Sequence, residues 1–302
     1  MHTDTFEIKS VSISDKALFD RYFAAFEPLN SEYTFTNMFM WRKSYNIRYA
    51  VIDGMLCIFS RHGENGTESV NFPLGDGDVS APLRKIFDYF DSIGQRPVIR
   101  LYKESDLLRL NVAFPDKFVI TEDIDSFDYV YNTSDLIELP GSKYHSKRNH
   151  ISKFKSLFNF EYRPLTPELV PECLEMFSRW CDSKKGIVPG ISEQREAVVE
   201  LMENYEVLGV TGGVITVLGK VVAFSFGEVL SQKNSMAVIH LEHADTEYHG
   251  SFPIMNQQFL EKEWIDFKYV NREEDMGLPG LRKAKQSYKP KMMTKKYIAS
   301  LA

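Results

Sequence analysis

The chain has 302 residues, of which 43% are hydrophobic and 13% aromatic, a composition typical of a well-packed globular protein rather than a disordered one. This length is sufficient for two domains of ordinary size. No apolar run approaches the length that crosses a bilayer as a helix, and the N-terminus has no apolar segment typical of a signal peptide. We therefore expect a cytoplasmic protein.

Charge is unevenly distributed along the chain. The formal net charge of -6 argues against a general nucleic-acid-binding protein. Residues 143–155 nevertheless carry five Lys or Arg and no acid, and residues 276–302 carry seven and no acid. Each stretch is either a solvated face or, if the fold brings the two together, part of one anion-binding wall. Cys57, Cys173 and Cys181 are too few and too widely spread to indicate a disulfide framework or a cysteine zinc site.

The first half of the chain mixes helices and strands. Residues 15–26 have apolar side chains at helical spacing and predict a helix. Residues 46–60 predict a hairpin that turns at Asp53-Gly54. Further short strands and helices follow up to residue 131, so one sheet covered by helices is expected in this half.

Residues 142–158 predict a basic amphipathic helix. Its apolar stripe is narrow, and its other faces carry Lys, Arg and His. Such a helix can lie on a membrane surface. The stripe is so thin and short that packing against the protein is the simpler interpretation. We expect it to connect two domains, within residues 141–160.

The second half predicts two helices, a group of strands, a helix and a last strand. The strands are expected at 207–210, 214–218, 221–229 and 236–242. Glycine turns at Gly212-Gly213 and Gly219-Lys220 predict that the first three form an antiparallel meander. The first half follows a looser version of the same order. The fold class is therefore predicted to be α+β, with two similar domains, residues 1–140 and 161–302, in which helices cover mixed sheets.

The stretch from Tyr269 to Pro290 concentrates polar groups and turn residues. Arg272 and Asp275 follow a short apolar run, and Gly277 and Gly280 provide turn chemistry before a basic segment begins. We interpret it as a strand whose end carries ligand-binding side chains into a cleft. The alternative is a solvated loop that leads into a basic helix.

Two motifs in this chain resemble those of a known family, the C-terminal catalytic domain of the phosphatidylglycerol lysyltransferases. The closing motif N-R-E-x-D-x-G-x-x-G-L-R-x-x-K-x-S-Y-x-P is matched between Asn271 and Pro290. A second motif, Lys-aromatic-His-x-Lys-Arg-Asn, is matched between Lys143 and Asn149. The resemblance implies two tandem acetyltransferase-like (GNAT) domains. It also implies transfer of an acyl or aminoacyl group to an amine or hydroxyl acceptor.

The resemblance leaves two co-substrates open, acyl-CoA and aminoacyl-tRNA. GNAT enzymes hold the coenzyme A pyrophosphate in a glycine-rich loop before a helix, but the corresponding residues 242–252 keep only Gly250. Asp245 and Glu247 place negative charge there, which disfavours a pyrophosphate. A tRNA partner fits the two basic stretches. A small molecule or a lipid headgroup is the expected acceptor, although the membrane part of the full-length lysyltransferases is absent from the sequence.

Aminoacyl transfer requires a polarised carbonyl and an acceptor relieved of its proton. Asp275 is a candidate to orient an ammonium group or to accept the proton, Arg272 to bind a phosphate or the developing oxyanion. Glu242, at the end of the fourth strand, is a third catalytic candidate. A structural salt bridge between Arg272 and Asp275 is the alternative. The residues expected to bind substrate are Asn271, Arg282, Lys283, Lys285, Tyr288, Lys143, Lys147 and Arg148.

A metal site is not expected, and three other interpretations remain open. His240 and His243 are spaced as metal ligands can be, but no third ligand stands out and no metal site is expected. The chain could be a binding module that keeps the cleft without transfer chemistry, or an acetyl-CoA-dependent N-acetyltransferase. A membrane-surface protein that uses its basic helix is the last alternative.

Overall fold

The computed structural model describes residues 6–62, 66–186 and 190–302. The first five residues, on which the expected absence of a signal peptide partly rests, lie outside these ranges. Within the described ranges, none of the helices combines the length and the apolar character that a membrane crossing requires.

Up to residue 122 the elements are β1 (Lys9–Ser10), α1 (Lys16–Phe26), α2 (Phe35–Met40), β2 (Arg48–Ile52), β3 (Met55–His62), β4 (Thr67–Asn71), α3 (Ser80–Ser92), β5 (Val98–Leu101), α4 (Glu104–Ala113) and β6 (Phe118–Glu122). From residue 128 they are β7 (Asp128–Asn132), α5 (Thr133–Glu138), α6 (His145–Leu157), β8 (Phe160–Pro164), α7 (Val170–Lys184), α8 (Ile191–Leu208), β9 (Thr211–Val217), β10 (Lys220–Ser231), β11 (Met236–Ala244), α9 (Ser251–Glu263), β12 (Tyr269–Asn271), α10 (Pro279–Gln286), β13 (Met292–Thr294) and β14 (Tyr297–Leu301).

The first of two compact units runs to Phe127 and adds Glu274–Gly277 and Thr294–Ala302. Its described residues form a sheet in the order β1-β2-β3-β4-β5-β14-β6. The sheet is mixed, because β4 and β5 are parallel whereas β14 is antiparallel to both of its neighbours. Apolar residues of α3 and α4 pack with the central strands in one buried cluster, as expected for an amphipathic helix on a sheet.

The second unit comprises Asp128–Glu273 and Leu278–Met293. Its sheet has the order β13-β7-β12-β11-β10-β9-β8 among the described residues. β11 and β12 are parallel, and the strands from β8 to β11 are antiparallel. A buried cluster joins this sheet to α5, α6 and α9. Both units are therefore mixed sheets covered by helices, and the predicted α+β fold class is confirmed.

The unit bounds differ from the domain bounds expected from the sequence. The chain passes into the second unit at Asp128, not at residue 140, and returns to the first unit twice. The basic helix α6 belongs to the second unit, where Ile151 and Phe154 are buried in its core. The apolar stripe of this helix thus packs against the protein, which was the simpler of its two interpretations.

The hairpin and part of the meander were predicted correctly. β2 and β3 pair around Asp53-Gly54, and the strands expected at 214–218 and 221–229 correspond to β9 and β10, which are antiparallel neighbours. The prediction of a strand at 207–210 was wrong. Helix α8 continues to Leu208, and Gly209 ends it in a left-handed conformation.

The turn expected at Gly212-Gly213 was also wrong. Both glycines lie inside β9, opposite β8. A Cβ at Gly212 would lie 2.7 Å from a side-chain carbon of Leu165, and one at Gly213 would collide with Tyr162. Because glycine has no side chain, neighbouring residues can pack closely against this part of β9. The two glycines therefore serve packing within a strand and do not form a turn.

Candidate functional site

A β-bulge in β11 determines the direction of two polar side chains. Consecutive residues of β10 pair with Ile239 and Leu241, so His240 is the extra residue. Side chains alternate between the two faces of a regular strand, and an extra residue interrupts the alternation. Glu242 therefore shares a face with Ile239, the face that α9 covers. In an unbulged strand these two residues would lie on opposite faces.

Glu242 forms an ion pair with Arg272, which follows directly after β12. Nη2 of Arg272 donates to Oε1 of Glu242 over 3.1 Å, and the two side chains are 13% and 11% exposed. Oε2 of the same carboxylate accepts from Nδ2 of Asn256 on α9 at 3.0 Å. Charge-assisted hydrogen bonds are strong where little water competes. The carboxylate of Glu242 is thus held from two sides.

Two polar atoms of this group have no hydrogen-bond partner among the described residues. They are Nη1 of Arg272 and Oδ1 of Asn256, and both are buried. A buried polar atom without a partner costs free energy, so such atoms are uncommon in native proteins and often mark the place of a water molecule or a ligand. Here one atom is a donor and the other an acceptor, so together they suit a ligand that has both a carbonyl oxygen and an N–H group.

Aromatic rings and a lysine surround the same guanidinium. Cζ of Arg272 lies 5.0 Å from the ring centroid of Tyr288 and 5.8 Å from that of Tyr131. Nζ of Lys147, on α6, lies 3.9 Å from the centroid of the Tyr288 ring. The buried Tyr288 accepts a hydrogen bond at its carbonyl from the hydroxyl of Tyr144 at 2.9 Å. One ring therefore contacts two cations, an arrangement that electrostatic attraction to the ring face favours.

The protonation states of these groups differ. Burial, with the positive charge of Arg272 in addition, lowers the pKa of Lys147 to about 8, although Glu242 opposes the change. Burial also acts to lower the pKa of Arg272, but Glu242 and the neighbouring tyrosines raise it more, and the guanidinium stays charged. Burial raises the pKa of Tyr288 against the effect of Arg272. An amine that can lose its proton close to neutral pH thus lies near a permanent cation.

The backbone that carries Arg272 is fixed on several sides. Glu273 has a φ of 58°, in the left-handed region. Its N–H donates to Oδ1 of Asn271 at 2.7 Å, and its carbonyl accepts from the N–H of Tyr129 at 3.1 Å. Nζ of Lys285 donates to the carbonyls of Arg272 and Glu273. These bonds determine the direction in which Arg272 leaves the strand.

The bulge residue His240 is bound to two carboxylates. Its Nδ1 is 2.8 Å from Oε1 of Glu273, and its Nε2 is 2.8 Å from Oε1 of Glu228 on β10. Burial alone would lower its pKa, but the two carboxylates raise the pKa of His240 to about 10. The ring is therefore an imidazolium at neutral pH. The ring therefore joins the bulge before Glu242 to Glu273, the left-handed residue after Arg272.

His243 lies on the opposite face of β11 and takes no part in this group. Its ring is 5.1 Å from that of Phe177 and 4.8 Å from that of Trp180, both on α7. Burial lowers the pKa of His243 to about 4, so the ring is neutral. The described residues contain no group of three or more His, Cys, Asp or Glu side chains that could hold a metal ion.

Three N–H groups between Asp245 and Ser251, at the start of α9, donate within this segment. The N–H of Glu247 donates to Oδ1 of Asp245 at 3.0 Å, and the N–H of Tyr248 donates to the carbonyl of Asp245 at 3.2 Å. The N–H of Ser251 donates to the carbonyl of Tyr248 at 2.9 Å. These are groups that a bound anion would need as donors.

Helix α6 packs against the same loop. Gly250 has a φ of 92°, and a Cβ at this position would collide with the carbonyl oxygen of His150 on α6. Nδ1 of His150 is 3.0 Å from Nε2 of His249. The N-terminus of α9 is therefore approached by another helix of its own unit.

Asp275 accepts a hydrogen bond within its own segment. It is buried, and its Oδ1 accepts from the N–H of Gly277 at 2.9 Å, as in an Asx turn. Both residues belong to the first unit, whereas Arg272 and Glu242 belong to the second. The catalytic role of Asp275 and the alternative salt bridge with Arg272 both stay predictions.

The expected substrate-binding residues fall into two groups. Lys147 and Tyr288 lie at the Arg272 guanidinium. The others contact protein groups or lie elsewhere on α6 and α10: Asn271 donates to Asp128 at 2.8 Å, Lys285 and Arg148 donate to backbone carbonyls, Lys143 is 3.9 Å from Asp135, and Arg282 and Lys283 are on α10. Substrate binding by these residues stays a prediction.

Sequence reasoning missed Asn256, Tyr131 and the role of His240. Asn256 is a polar residue on the face of α9 that otherwise carries Met255 and Phe259, and an amide on an apolar face was a usable signal. Neither Tyr131 nor the bulge at His240 has a comparable signature in the sequence.

The two α+β halves have a known counterpart. A tandem GNAT protein from the clavulanic acid biosynthesis pathway matches with a TM-score of 0.52 at 9% identity, over 98% of each chain. L-PGS from Bacillus licheniformis matches with a TM-score of 0.59 at 16% identity, over 90% of this chain and 93% of that one. The protein thus has an acyltransferase-like fold made of two GNAT-like halves.

The family follows from the sequence match. The family model described as "Phosphatidylglycerol lysyltransferase, C-terminal" matches residues 23–300, and the chain belongs to this family. A conserved protein of unknown function from Bacteroides thetaiotaomicron has the same fold, with a TM-score of 0.90 and 34% identity over 99% of this chain and 100% of that one. An uncharacterised protein of Mycoplasmoides gallisepticum is 24% identical over 181 residues, 58% of this chain. The match spans 56% of that relative, little more than half of its length.

Proposed function

We propose that this chain transfers an aminoacyl or acyl group to an amine or hydroxyl acceptor at the group formed by Arg272, Glu242, Asn256 and Lys147. The observation that carries the proposal is the buried guanidinium of Arg272, whose Nη1 has no partner among the described residues. It shares the ring of Tyr288 with Lys147, the lysine whose pKa is about 8. A fixed cation and a titratable amine are the two groups that acyl transfer needs.

The reaction assigns a role to each group. The acceptor nitrogen or oxygen forms a bond to the carbonyl carbon, and the bond from this carbon to the leaving oxygen or sulfur breaks. The neutral amine of Lys147 accepts the proton of the acceptor and returns it to the leaving group. Nη1 of Arg272 donates to the carbonyl oxygen as negative charge develops on it. Oδ1 of Asn256 and the carboxylate of Glu242 suit the ammonium of an aminoacyl group.

Aminoacyl-tRNA is the donor that we propose, in preference to acyl-CoA. In the loop before α9 the N–H groups of Glu247, Tyr248 and Ser251 already donate within the loop. The carboxylate of Asp245 is one of the acceptors, so negative charge lies where a pyrophosphate would bind. Exposed lysines on α6 and α10, such as Lys153 and Lys283, are suitable contacts for a nucleic-acid backbone.

Transfer assays test this proposal. The purified chain is incubated with labelled aminoacyl-tRNA or with acetyl-CoA, together with amine, hydroxyl and lipid-headgroup acceptors. We expect transfer from aminoacyl-tRNA, and a loss of about a hundredfold or more in Arg272→Ala. Arg163→Ala is the matched control, because Arg163 is exposed on β8 of the same unit.

Three further variants separate the roles. Lys147→Met removes the amine and should reduce transfer at every pH, whereas Lys147→Arg keeps a cation but no proton acceptor. Asp275→Asn tests the catalytic role expected for Asp275 from the sequence. Transfer by Arg272→Ala at the rate of the unsubstituted protein would refute the proposed site. Thermal stabilisation by aminoacyl-tRNA without any product would instead identify a binding module.

A further inference from the structure

The outer edge of β6 is an open strand edge in the first unit. β6 pairs with β14 on one side and is the terminal strand of its sheet among the described residues. The N–H of Asp123 donates to the carbonyl of Lys296 at 2.9 Å, and the N–H of Ala302 donates to the carbonyl of Lys117 at 3.0 Å. Because the direction of backbone groups alternates along a strand, the N–H and C=O groups of Phe118, Ile120 and Glu122 point away from β14.

Two apolar side chains of this strand are exposed. Val119 is 54% exposed and Ile120 is 39% exposed. Phe118 packs on the core side, with its ring 5.7 Å from that of Phe87. By alternation Ile120 shares that face, and Val119 lies on the other face with Thr121. Proteins usually protect an open edge with charges, a proline or a bulge. Phe118–Glu122 has no proline and an uninterrupted register with β14, and its one charged residue, Glu122, stands at the end of the strand, 2.7 Å from Nζ of Lys295.

We propose that β6 pairs antiparallel with β6 of a second copy of this chain, about a two-fold axis at Ile120. In this register Ile120 opposes Ile120 of the partner subunit, Phe118 opposes Glu122, and Val119 opposes Thr121. All three outward residues then lie in hydrogen-bonded pairs. Each such pair exchanges two bonds, so about six N–H···O bonds form. The two sheets become one continuous sheet.

The charges at the two ends of the segment favour this register and a second copy of the chain as the partner. Lys117 opposes Asp123 at both ends of the paired segment, and opposite charges directly across a strand pair are favourable. The contacts of Asp123 with Arg100 and Ser126 both use Oδ2. A shift of the register by two residues loses one hydrogen-bonded pair, and in one direction it places Asp116 opposite Glu122. The edge is thus self-complementary, as the isologous interface of a two-fold dimer requires.

A proline substitution tests the pairing selectively. The N–H of Ile120 points outward, so Ile120→Pro removes bonds to the second copy and leaves the ladder with β14 intact. We expect the unsubstituted protein to pass from monomer to dimer, of twice 34.9 kDa, in sedimentation runs at increasing protein concentration. Ile120→Pro should remain monomeric, with its circular dichroism unchanged. Lys117→Glu should weaken the dimer, because it places two acids opposite each other.

Cross-linking gives a second measurement that does not need the proline variant to fold. The native cysteines are buried, so a cysteine at position 120 would be the reactive one. In the proposed register the two copies of this position oppose each other at about 5.5 Å between Cα atoms, within reach of a disulfide. Ile120→Cys should form a covalent dimer under mild oxidation, and the exposed control Val207→Cys should not. A monomer at every concentration, or a dimer that persists in folded Ile120→Pro, would overturn the proposal.

Discussion

Arg272 donates from Nη2 to Oε1 of Glu242 over 3.1 Å, although the two residues are 30 positions apart in the sequence. The contact depends on three features of the second unit: the parallel pairing of β11 with β12, the bulge at His240 and the kink at Glu273. The strand pairing places β11 and β12 side by side. The bulge sets the direction of Glu242, and the left-handed residue Glu273 sets that of Arg272. Four predictions follow from this arrangement and from the helices around it.

Removal of one member of the ion pair should cost more than removal of both. Glu242→Ala leaves the guanidinium of Arg272 buried without its counter-charge, and we expect a loss of about 3 kcal/mol in the free energy of unfolding. The double variant Glu242→Met with Arg272→Met should recover a large part of this loss, because no unpaired charge remains. Urea unfolding of the single and double variants measures the difference. If the loss of the double variant equalled the sum of the losses of the two single variants, the pair would not be coupled.

The imidazolium of His240 should make stability depend on pH. Its pKa is about 10 in the folded protein and about 6.5 in the unfolded chain, so its ion pairs stabilise the fold fully below pH 6.5. This contribution should decline as the pH rises towards 10. The carboxylates that face the ring are Glu228 and Glu273.

His240→Gln should remove this dependence, because an amide does not titrate. Urea unfolding at several pH values from 6 to 10 compares the two proteins, where we expect a steeper decline for the unsubstituted one. An NMR titration of the ring provides the direct check. An imidazole that titrates near its ordinary pKa would contradict the assigned ion pairs.

The titration of Lys147 should change the free energy of unfolding with pH in the opposite direction. Its pKa is about 8 in the folded protein and about 10.4 in the unfolded chain, so the folded state binds fewer protons between these values. This contribution to the free energy of unfolding should therefore increase as the pH rises from 8 to 10.4. Lys147→Met should remove it.

The reactivity of Lys147 offers an independent measurement. A neutral amine is a better nucleophile than an ammonium. At pH 8 the rate of labelling by acetic anhydride, relative to the solvent exposure of the amine, should therefore be higher for Lys147 than for the exposed Lys153 on the same helix. Mass spectrometry after limited labelling at several pH values gives the apparent pKa of each amine. An apparent pKa near 10.4 for Lys147 would contradict its burial beside the Tyr288 ring and the influence of Arg272.

Alanine at Gly250 should destabilise the protein strongly. The substitution combines a φ of 92° with a collision between the new Cβ and the carbonyl of His150, and we expect a loss of about 3 kcal/mol. Gly209→Ala is the matched control, since Gly209 has a φ of 77° and no heavy atom within 4 Å of the position that a Cβ would occupy. The control should lose only about 1 kcal/mol, from the conformational strain alone. Melting temperatures of the two variants separate strain from the contact with α6.

The elements that were predicted correctly have local signatures. The β2–β3 hairpin is specified by alternating apolar residues around Asp53-Gly54, and the helix at 15–26 by its 3.6-residue period. The errors arose where a distant contact decides. Gly212 and Gly213 suit a turn by propensity, but the approach of β8 places them inside a strand.

The candidate site was predictable in part. Arg272 and Tyr288 lie in the motif-bearing stretch, and Lys147 lies in the second motif. Their assembly around one ring depends on the packing of α6, which no local pattern specifies. The bulge that turns Glu242 towards α9 is likewise a property of strand pairing rather than of composition.

The position of β14 has a consequence for the order in which the chain folds. β14 lies between β5 and β6, and it bonds to both. The ribosome makes it only after the whole of β7 to β13, so the sheet of the first unit lacks an interior strand until the second unit has been synthesised. During this interval β5 and β6 each present unpaired backbone groups. The second unit is complete at Met293, before β14, so its own sheet does not wait for this strand.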